Sequence, residues 1–404
     1  MVIFMSKTIS LLAGLDIGNG YVKAKINDGD AFDLPSVVAC VTSTHDIKAE
    51  DVKAVVDDIF NHMDASFDSP LIETPGSRRF FGRRGITAGM SIQEFDVFSH
   101  VSKANNDLSG ILVLGTLAGY ALQQYYAEHG ALPMEQVTVH CRIALALPIN
   151  EYKRHREAYA NKFKKASSLV TIHNFEKPVR IELVFDNVQV FAEGESAQYG
   201  ILIEGEPLMA EMLADVRNGG EPLEGIAPAD VLAAKTVVGI DIGEGTTNFP
   251  VFLNRKFNAD ASSTYKQGYG EVLTRAMERL ADMGMAFHSR KDITEFLLET
   301  PTALNRAKHE RIKMVVSEET VPFAQAVSME FAKVMNRGGV FIEVVYVYGG
   351  GATLAKDVLH PLILQTIRSF SDDQMPVLYL DSQYSRFLNA TGLYRVAAKL
   401  AERV

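Results

Sequence analysis

The sequence predicts an α/β protein built from two related domains. Two observations support this prediction: the length of the chain, and an apolar strand ending in Asp-x-Gly that occurs twice. The chain has 404 residues, whereas a single hydrophobic core usually stops growing at about 250–300 residues. The first copy ends at Asp16 and the second at Asp241, and their separation of 225 residues (241 − 16) is the size of a domain rather than of a short repeat.

Composition and charge narrow the class of protein. Apolar residues make up 47% of the chain and charged residues 22%, which is typical of globular proteins and excludes disordered and fibrous ones. The formal charge of −10, from 40 basic and 50 acidic residues, argues against direct binding of nucleic acid. Cys40 and Cys141 are far apart and lack metal-site spacing, so we predict neither a disulfide framework nor a zinc site.

The sequence also predicts that the protein does not enter a membrane. No uninterrupted apolar stretch approaches the ~18 residues that mark a membrane-spanning helix. The segment before Asp16 lacks the basic region and the cleavage site of a secretory signal, and Met1 and Met5 both remain possible starts. We therefore expect a cytoplasmic protein without a membrane partner.

Hydrophobic periodicity predicts the elements of the first half of the chain. A strand at 9–17 is followed by a glycine turn and the strand YVKAKI, which together form a hairpin. The elements expected next are a helix at 111–129, a buried strand ending at Pro148, a basic helix at 151–165, one or two strands at 178–191, and a helix beginning near Glu195 or Ser196.

The pattern changes at Glu204–Pro228, where acidic residues, three prolines and two adjacent glycines predict an exposed insertion. Beyond it, the elements expected are a strand at 236–243, a Gly-Tyr-Gly turn with a helix after it, a helix at 318–336, the strand VFIEVVYVY, a glycine turn, and a terminal helix.

These patterns predict the following domain boundaries. Domain I covers 1–235, with a subdomain insertion at 37–110 and a linker or insertion at 203–235; domain II covers 236–369; and a C-terminal segment, 370–404, returns to domain I.

The two Asp-x-Gly hairpins have the residue types that a nucleoside triphosphate requires. Their glycines allow tight turns and close approach of phosphate, and Lys23 follows the first turn. A third glycine run, Gly349–Gly351, lies between a strand and a helix, where backbone N–H groups are free to bind an anion. One such motif alone is usually an ordinary hairpin turn, but three in this order favour nucleotide binding. The chain contains neither a P-loop nor a dinucleotide-binding or zinc-protease motif.

The motifs resemble those of a known family. DIGNGYVK, DIGEGTTN and YVYGGGATL resemble the first phosphate, second phosphate and adenosine motifs of actin-family ATPases. LALPINEYKRHREAYANKFKK, VQVFAEGESAQYGIL and SQYSRFLNATGLY are similar to segments of the bacterial plasmid-segregation actins of the ParM (StbA) type. The resemblance extends over most of the chain, although 37–110 and 203–235 contribute little.

This resemblance implies the superfold shared by actin, Hsp70 and sugar kinases, with two related domains around a nucleotide cleft. It implies that Glu193 orients the attacking water with Asp241 as its partner, and that Asp16 and Asp241 hold Mg²⁺ through water. The residues it assigns to ATP are Asp16, Gly18, Asn19, Gly20, Lys23, Gly243, Glu244, Gly245, Thr246, Thr247, Gly349, Gly350 and Gly351. GTP in place of ATP is left open.

Two positions depart from the family pattern. Asn248 stands where many relatives carry Asp, so hydrolysis could be slow, and Ala192 replaces the proline that often precedes the glutamate. The ordinary structural explanation for Glu193 is a carboxylate at a helix N-terminus that interacts with the helix dipole.

The function that the resemblance implies is an ATP-dependent filament that segregates plasmid DNA through an adaptor protein. ATP would favour head-to-tail self-assembly, and hydrolysis would control disassembly. A small-molecule kinase and a cell-shape or division actin remain alternatives on the same superfold. A chaperone of the Hsp70 type is disfavoured because 53 residues (404 − 351) follow Gly351.

Overall fold

The computed structural model describes residues 8–41, 51–88, 92–95, 101–219, 223–338, 342–371, 374–380 and 382–401. The chain divides into two compact units, which are described separately. The first comprises Met1–Gly200 and Phe387–Val404, and the second comprises Ile201–Arg386. The sequence-based boundaries at 235 and 370 stay predictions about the domains.

The first unit is built on one mixed sheet. Its strands are β1 (Thr8–Ile17), β2 (Tyr21–Ile26), β3 (Phe32–Pro35), β4 (Val38–Cys40), β5 (Asp64–Asp68), β6 (Arg78–Phe81), β7 (Ile92–Gln93), β8 (Val137–Leu147), β9 (Ser168–Ile172) and β10 (Val179–Ala192). The described strands lie in the order β3-β2-β1-β8-β10-β9-β5-β6-β4-β7. β1, β8 and β10 are parallel neighbours at the centre, so their carboxyl ends lie at the same edge of the sheet.

Helices cover this sheet. They are α1 (Val52–Asp57), α2 (Ile59–His62), α3 (Arg83–Thr87), α4 (Asp107–His129) and α5 (Ile149–Lys164), and a 3₁₀ turn at Lys103–Asn105 precedes α4. The side chain of Asn106 caps α4 by accepting a hydrogen bond from the Leu108 N–H, and Gly130 ends it in the left-handed conformation with φ of 66°. The central α4 buries most of its first sixteen residues, as expected of a helix in the core.

The division between the units falls inside one helix, α6 (Glu195–Asn218). Gly205 interrupts this helix with φ of 67°. Pro207 lies two residues further on, where a missing N–H is tolerated because a new helical turn begins there.

The second unit is built on a second mixed sheet. Its strands are β11 (Val237–Ile242), β12 (Thr247–Phe249), β13 (Val251–Leu253), β14 (Lys256–Phe257), β15 (Ser263–Tyr265), β16 (Val344–Tyr348) and β17 (Val377–Tyr379). Its remaining helices are α7 (Pro228–Ala233), α8 (Tyr269–Asp282), α9 (Arg290–Leu298), α10 (Arg306–Gly338), α11 (Ala352–Arg368) and α12 (Ser382–Ser385). The fully buried β11 pairs in parallel with β16, so these two strands end side by side.

The last helix, α13 (Leu388–Ala401), belongs to the first unit. It packs against β1 at Gly14, where an added Cβ would lie 2.2 Å from the Tyr394 backbone nitrogen. At Gly392 an added Cβ would lie 1.9 Å from the Ser196 carbonyl oxygen. Glycine at these two positions lets α13 approach both the sheet and the start of α6.

Most elements predicted from the sequence are confirmed. The first hairpin, α4, α5, β8 and the start of α6 at Glu195 all occur as expected, and 178–191 is the single strand β10. α10 begins twelve residues before the predicted start at 318.

The prediction of an exposed insertion at 204–228 is wrong for its first half. Residues up to Asn218 are helical, and Leu208, Met209, Met212 and Leu213 are buried. These four apolar residues recur at helical spacing, which outweighs the local effect of Pro207. Residues 220–222 lie outside the described residues.

We expect Gly14→Ala to destabilise the first unit because its Cβ would collide with two backbone atoms of α13, Tyr394 N at 2.2 Å and Ala390 O at 2.4 Å. Overpacking of this kind costs about 1–3 kcal/mol, so the melting temperature measured by circular dichroism should fall. The matched control is Gly350→Ala, whose added Cβ meets no atom within 4 Å. Equal melting temperatures for the two variants would contradict the close approach of α13.

Candidate functional site

The first candidate hairpin joins β1 to β2, and its geometry requires glycine. Asp16 and Lys23 are direct cross-strand partners. The Gly18 N–H donates to the Tyr21 carbonyl oxygen at 3.0 Å, and an added Cβ on Gly18 would lie 2.6 Å from that same oxygen. Ser36, which follows β3, stabilises the turn because its hydroxyl donates a hydrogen bond to the Gly18 carbonyl oxygen at 2.7 Å.

The tip of this turn, Asn19 and Gly20, is half-buried. The carbonyl of Gly20 accepts a hydrogen bond from the Ser36 N–H at 2.9 Å. The loop is therefore held by backbone contacts rather than by the Asn19 side chain, which suits a turn whose N–H groups are to bind an anion.

The carboxylate of Asp16 is almost fully buried, with 6% of the residue exposed. Burial is the main cause of its raised pKa, and the negative charge of Glu193 adds to it. Lys23, Lys103 and a hydrogen bond from Asn389 of α13 act in the opposite direction without cancelling the shift. A cation placed beside Asp16 would relieve this cost.

Glu193 follows the end of β10 and forms a buried ion pair. Its backbone N–H donates to the Leu147 carbonyl at 2.7 Å, which ties it to the end of β8. Its Oε1 accepts a hydrogen bond from Lys103 Nζ at 2.9 Å, with both side chains less than a tenth exposed. Burial alone would lower the pKa of Lys103, but the charges of Glu193 and Asp16 and the hydrogen bond to Glu193 hold it above its usual value.

Asn389 joins three parts of the first unit. Besides donating to Asp16, its Oδ1 accepts hydrogen bonds from the Ser196 hydroxyl at 2.8 Å and the Gly194 N–H at 3.4 Å. The segment around Glu193 is therefore fixed to the first hairpin by a residue of the last helix.

Glu195 begins α6 two residues beyond Glu193. Burial raises its pKa to about 7, although a hydrogen bond from the Ala192 N–H and the charge of Arg156 lower it. This carboxyl therefore changes its ionisation near neutral pH.

The second candidate hairpin joins β11 to β12 in the second unit. Asp241 pairs with Asn248 across the two strands, and the Gly243 N–H donates to the Thr246 carbonyl at 2.9 Å to close the turn. Both strand residues are buried. The Asn248 Oδ1 accepts a hydrogen bond from the Thr264 hydroxyl at 2.7 Å. The Asn248 side chain therefore links β12 to the neighbouring strand β15.

The remaining residues of this turn are held by the start of α8. The N–H groups of Tyr269 and Gly270 donate to the carbonyls of Gly243 and Glu244, both at 2.9 Å. The Glu244 carboxylate forms an ion pair with Arg290 at 2.8 Å. Thr247 is buried and its hydroxyl donates to the Gln267 carbonyl at 2.9 Å, whereas Gly245 is buried and Thr246 is half-buried.

The glycine run Gly349–Gly351 packs directly on the second hairpin. Gly349 has φ of 96°, and an added Cβ would lie 2.5 Å from the Ile242 carbonyl and 2.7 Å from Asp241 Oδ1. The Gly351 N–H donates to the same Ile242 carbonyl at 3.0 Å. An added Cβ on Gly350 would meet open space, so the loop offers an accessible backbone next to a buried carboxylate.

The chemistry of these groups fits Mg²⁺ held through water. Mg²⁺ dehydrates reluctantly and is usually bound by one or two carboxylates with several waters. Each hairpin supplies one buried aspartate at a strand end. Within the part of the chain that the structure describes, no group of three or more His, Cys, Asp or Glu side chains could hold a metal ion directly.

None of the described helices combines the length and the apolar character that crossing a bilayer requires.

Comparisons with known proteins agree with this architecture. Residues 14–195 match the family of actin-like protein N-terminal domains, and residues 239–361 match the C-terminal domain of the archaeal MreB-like actin homologues. No curated protein sequence matches the chain significantly. The chain therefore has the actin-like fold, and its two matched parts are similar to actin-like N-terminal and MreB-like C-terminal domains.

The similar solved structures include ParM proteins and an actin-like protein. Bacillus thuringiensis ParM with ATP is 16% identical, with a TM-score of 0.62 over 98% of this chain and 100% of that one. Actin-like protein Alp7A is also 16% identical, with a TM-score of 0.65 over 98% of both chains. The apo pSK41 ParM protein is 18% identical, with a TM-score of 0.55 over 98% of both chains. ParM and Alp7A are thus among the proteins whose fold this chain shares.

Each unit brings together the sequence-predicted residues that it contains. In the first unit, Asp16 interacts with Lys23 and Glu193; in the second, Asp241 lies against Gly349. Sequence reasoning missed Lys103 and Asn389. Lys103 lies in a stretch without a recognised motif. Asn389 lies within the C-terminal motif SQYSRFLNATGLY, and that motif could have indicated a role for it in the site. The roles of the predicted site residues toward a nucleotide stay proposals.

The raised pKa of Glu195 predicts a pH-dependent stability. The pKa of Glu195 is about 7 in the folded protein, against an ordinary value of 4.5. The contribution of this carboxyl group to stability is therefore fully present below pH 4.5 and is lost as the pH rises through 7. Because glutamine stays neutral, Glu195→Gln should be more stable than the wild type at pH 8 by about 1–3 kcal/mol, and similar to it at pH 4.5. Thermal denaturation at both pH values measures this.

The matched control is Glu204→Gln, which removes an exposed carboxylate from the same helix. It should follow the wild-type pH dependence. The same pH dependence in Glu195→Gln and Glu204→Gln would show that Glu195 is not protonated in the folded protein near neutral pH.

Proposed function

We propose that the protein is an ATPase that forms filaments and that residues of both Asp-x-Gly hairpins bind ATP with Mg²⁺. The observation that carries the proposal is the repeated arrangement of a buried aspartate at the end of a central strand, followed by a tight glycine turn. Asp16 is followed by Gly18, whose added Cβ would lie 2.6 Å from the Tyr21 carbonyl oxygen, and Asp241 is followed by Gly243, whose added Cβ would lie 3.0 Å from the Thr246 carbonyl oxygen. The actin-like fold and the ParM structures with ATP, ADP and AMPPNP support it.

Each unit would contribute a different part of the nucleotide site. The turns Gly18–Gly20 and Gly243–Thr247 would wrap the β- and γ-phosphates, with backbone N–H groups other than those of Gly18 and Gly243, which close the turns. Lys23 would neutralise phosphate charge. The loop Gly349–Gly351 would hold the α-phosphate and adenosine, because its left-handed Gly349 and its unobstructed Gly350 leave the backbone accessible. The same contacts would accept GTP.

Hydrolysis requires little covalent work from the protein, since phosphoryl transfer depends on position and charge neutralisation. Glu193, fixed at the end of β10 and close to Asp16, would accept a hydrogen bond from the attacking water, and Asp241 would assist. Mg²⁺, held through water by Asp16 and Asp241, would neutralise the phosphate oxygens. Asn248 in place of the usual aspartate makes a slow hydrolysis rate part of the proposal.

The biological role that we propose is plasmid segregation in the cytoplasm. It rests on the resemblance of the chain to plasmid-segregation actins and on its fold similarity to ParM and Alp7A. Copies would assemble head to tail, and an adaptor protein would attach the filament to DNA, since the net charge of −10 disfavours direct DNA contact. ATP hydrolysis would then weaken the contacts between neighbouring copies, so that the filament disassembles into free subunits.

Purified protein with ATP and Mg²⁺ should give a transient rise in light scattering, because assembly would precede hydrolysis. The non-hydrolysable analogue AMPPNP should give a rise that persists, and protein without nucleotide should give none. A flat trace together with phosphate transfer to a sugar or to acetate would instead identify a small-molecule kinase.

Replacement of Glu193 by glutamine should slow phosphate release while leaving ATP binding and assembly intact. The expected loss is about 10²–10⁴-fold, the usual contribution of a positioned general base, and filaments should persist longer in the same scattering experiment. Glu204→Gln serves as the control because Glu204 is exposed on α6. Wild-type phosphate release in Glu193→Gln would remove this residue from the mechanism.

A further inference from the structure

A lysine outside every recognised motif is the direct partner of the proposed water-positioning glutamate. Lys103 lies in the 3₁₀ turn before α4, and its Nζ is 2.9 Å from Glu193 Oε1. The two residues are 90 positions apart in the chain, and both side chains are more than nine-tenths buried. A buried charge is tolerated only when a partner compensates it, so each of these groups depends on the other.

Lys103 is also the cation shared by three neighbouring carboxylates. Its pKa is affected by the charges of Glu193, Asp16 and Glu151, and Glu193 in turn raises the pKa of both Asp16 and Glu151. Without the charge of Lys103, the carboxylates of Glu193, Asp16 and Glu151 would repel one another. The ring of Phe95, 5.9 Å from Lys103 Nζ, lies under the ammonium group and helps to exclude water from it.

The turn that carries Lys103 is held at two points by a single helix, α5. Near the start of α5, the Glu151 carboxyl group lies beside the backbone N–H groups of Lys103 and Ala104, which favour its ionised form and act against the rise in its pKa that burial causes. Near its end, Lys162 Nζ donates to the Ala104 carbonyl at 2.8 Å and to Asn105 Oδ1 at 2.9 Å. The side chains of Glu151 and Lys162 thus hold the backbone of the turn that carries Lys103.

We propose that Lys103 is a positioning residue for hydrolysis: it fixes the Glu193 carboxylate beside Asp16, and α5 fixes Lys103. This assignment rests on the proposed function, in which Glu193 orients the attacking water. Lys103 acts through Glu193, so its loss slows the chemical step and leaves nucleotide affinity unchanged.

The kinetic test compares Lys103→Met with Lys103→Arg. Methionine keeps the length of the side chain and removes its charge, so turnover of ATP should fall about 10–100-fold, because a misplaced catalytic group costs that much. The KM for ATP should stay within about twofold of the wild-type value, and arginine, which retains the charge, should restore much of the turnover. Lys164→Met, an exposed position of α5, is the control and should match the wild type.

Coupling to Glu193 is tested by combining Lys103→Met with Glu193→Gln. Groups that act as a unit are not additive, so the double variant should turn over no more slowly than Glu193→Gln alone. Removing both members of a buried ion pair leaves neither charge unpaired. The melting temperature of the double variant should therefore exceed that of Lys103→Met, a result that requires no ATPase activity.

Wild-type turnover in Lys103→Met beside a slow Glu193→Gln would overturn the assignment of Lys103 and leave the proposed function intact. Fully additive effects on turnover and on melting temperature would overturn it as well. A wild-type chain that hydrolyses no ATP would overturn the proposed function itself, and the melting temperatures would still report whether the two side chains form an ion pair.

Discussion

The buried carboxylate at the end of a central strand is the constraint around which each unit is organised. An ionised carboxyl group removed from water must find compensating charges or hydrogen-bond donors. Asp16 has two lysines and Asn389 near it and still has a raised pKa. Asp241 is enclosed by Asn248 across the strand pair and by Gly349. Asp16 thus retains an electrostatic cost in the folded protein, which a cation bound beside it would relieve.

Close backbone approach is the second requirement, and it explains where the glycines occur. At Gly18, Gly349 and Gly351 an added Cβ would collide with backbone or side-chain atoms of the same hairpin region. Elsewhere the same device serves packing only, as at Gly14 and Gly392 beside α13. At Gly349 the crowding involves the carboxylate of Asp241 itself, whereas at Gly14 and Gly392 it involves only backbone atoms.

The sequence predicted the parts of the structure that depend on local pattern. The hairpin at Asp16, the strand before Asp241 and the start of α6 at Glu195 follow from alternation and glycine position, which act over a few residues. The pairing of Lys103 with Glu193 could not be predicted, because it joins residues 90 positions apart and no local period encodes it. The helix through Leu208 and Met212 was not predicted, because the prolines and acidic residues of this segment indicate a loop, whereas its apolar residues at helical spacing determine the structure. Domain boundaries and nucleotide roles stay predictions.

Asn389 gives the first unit an unusual dependence on the order of synthesis. The residues that it joins are Asp16, near the beginning of the chain, and Gly194 and Ser196, near its middle. During translation the residues around Asp16 leave the ribosome long before α13 exists, so the carboxyl group of Asp16 meets its amide donor only after α13 has been synthesised. A polypeptide released before that point would carry the first glycine turn without the Asn389 hydrogen bonds that link Asp16 to Gly194 and Ser196.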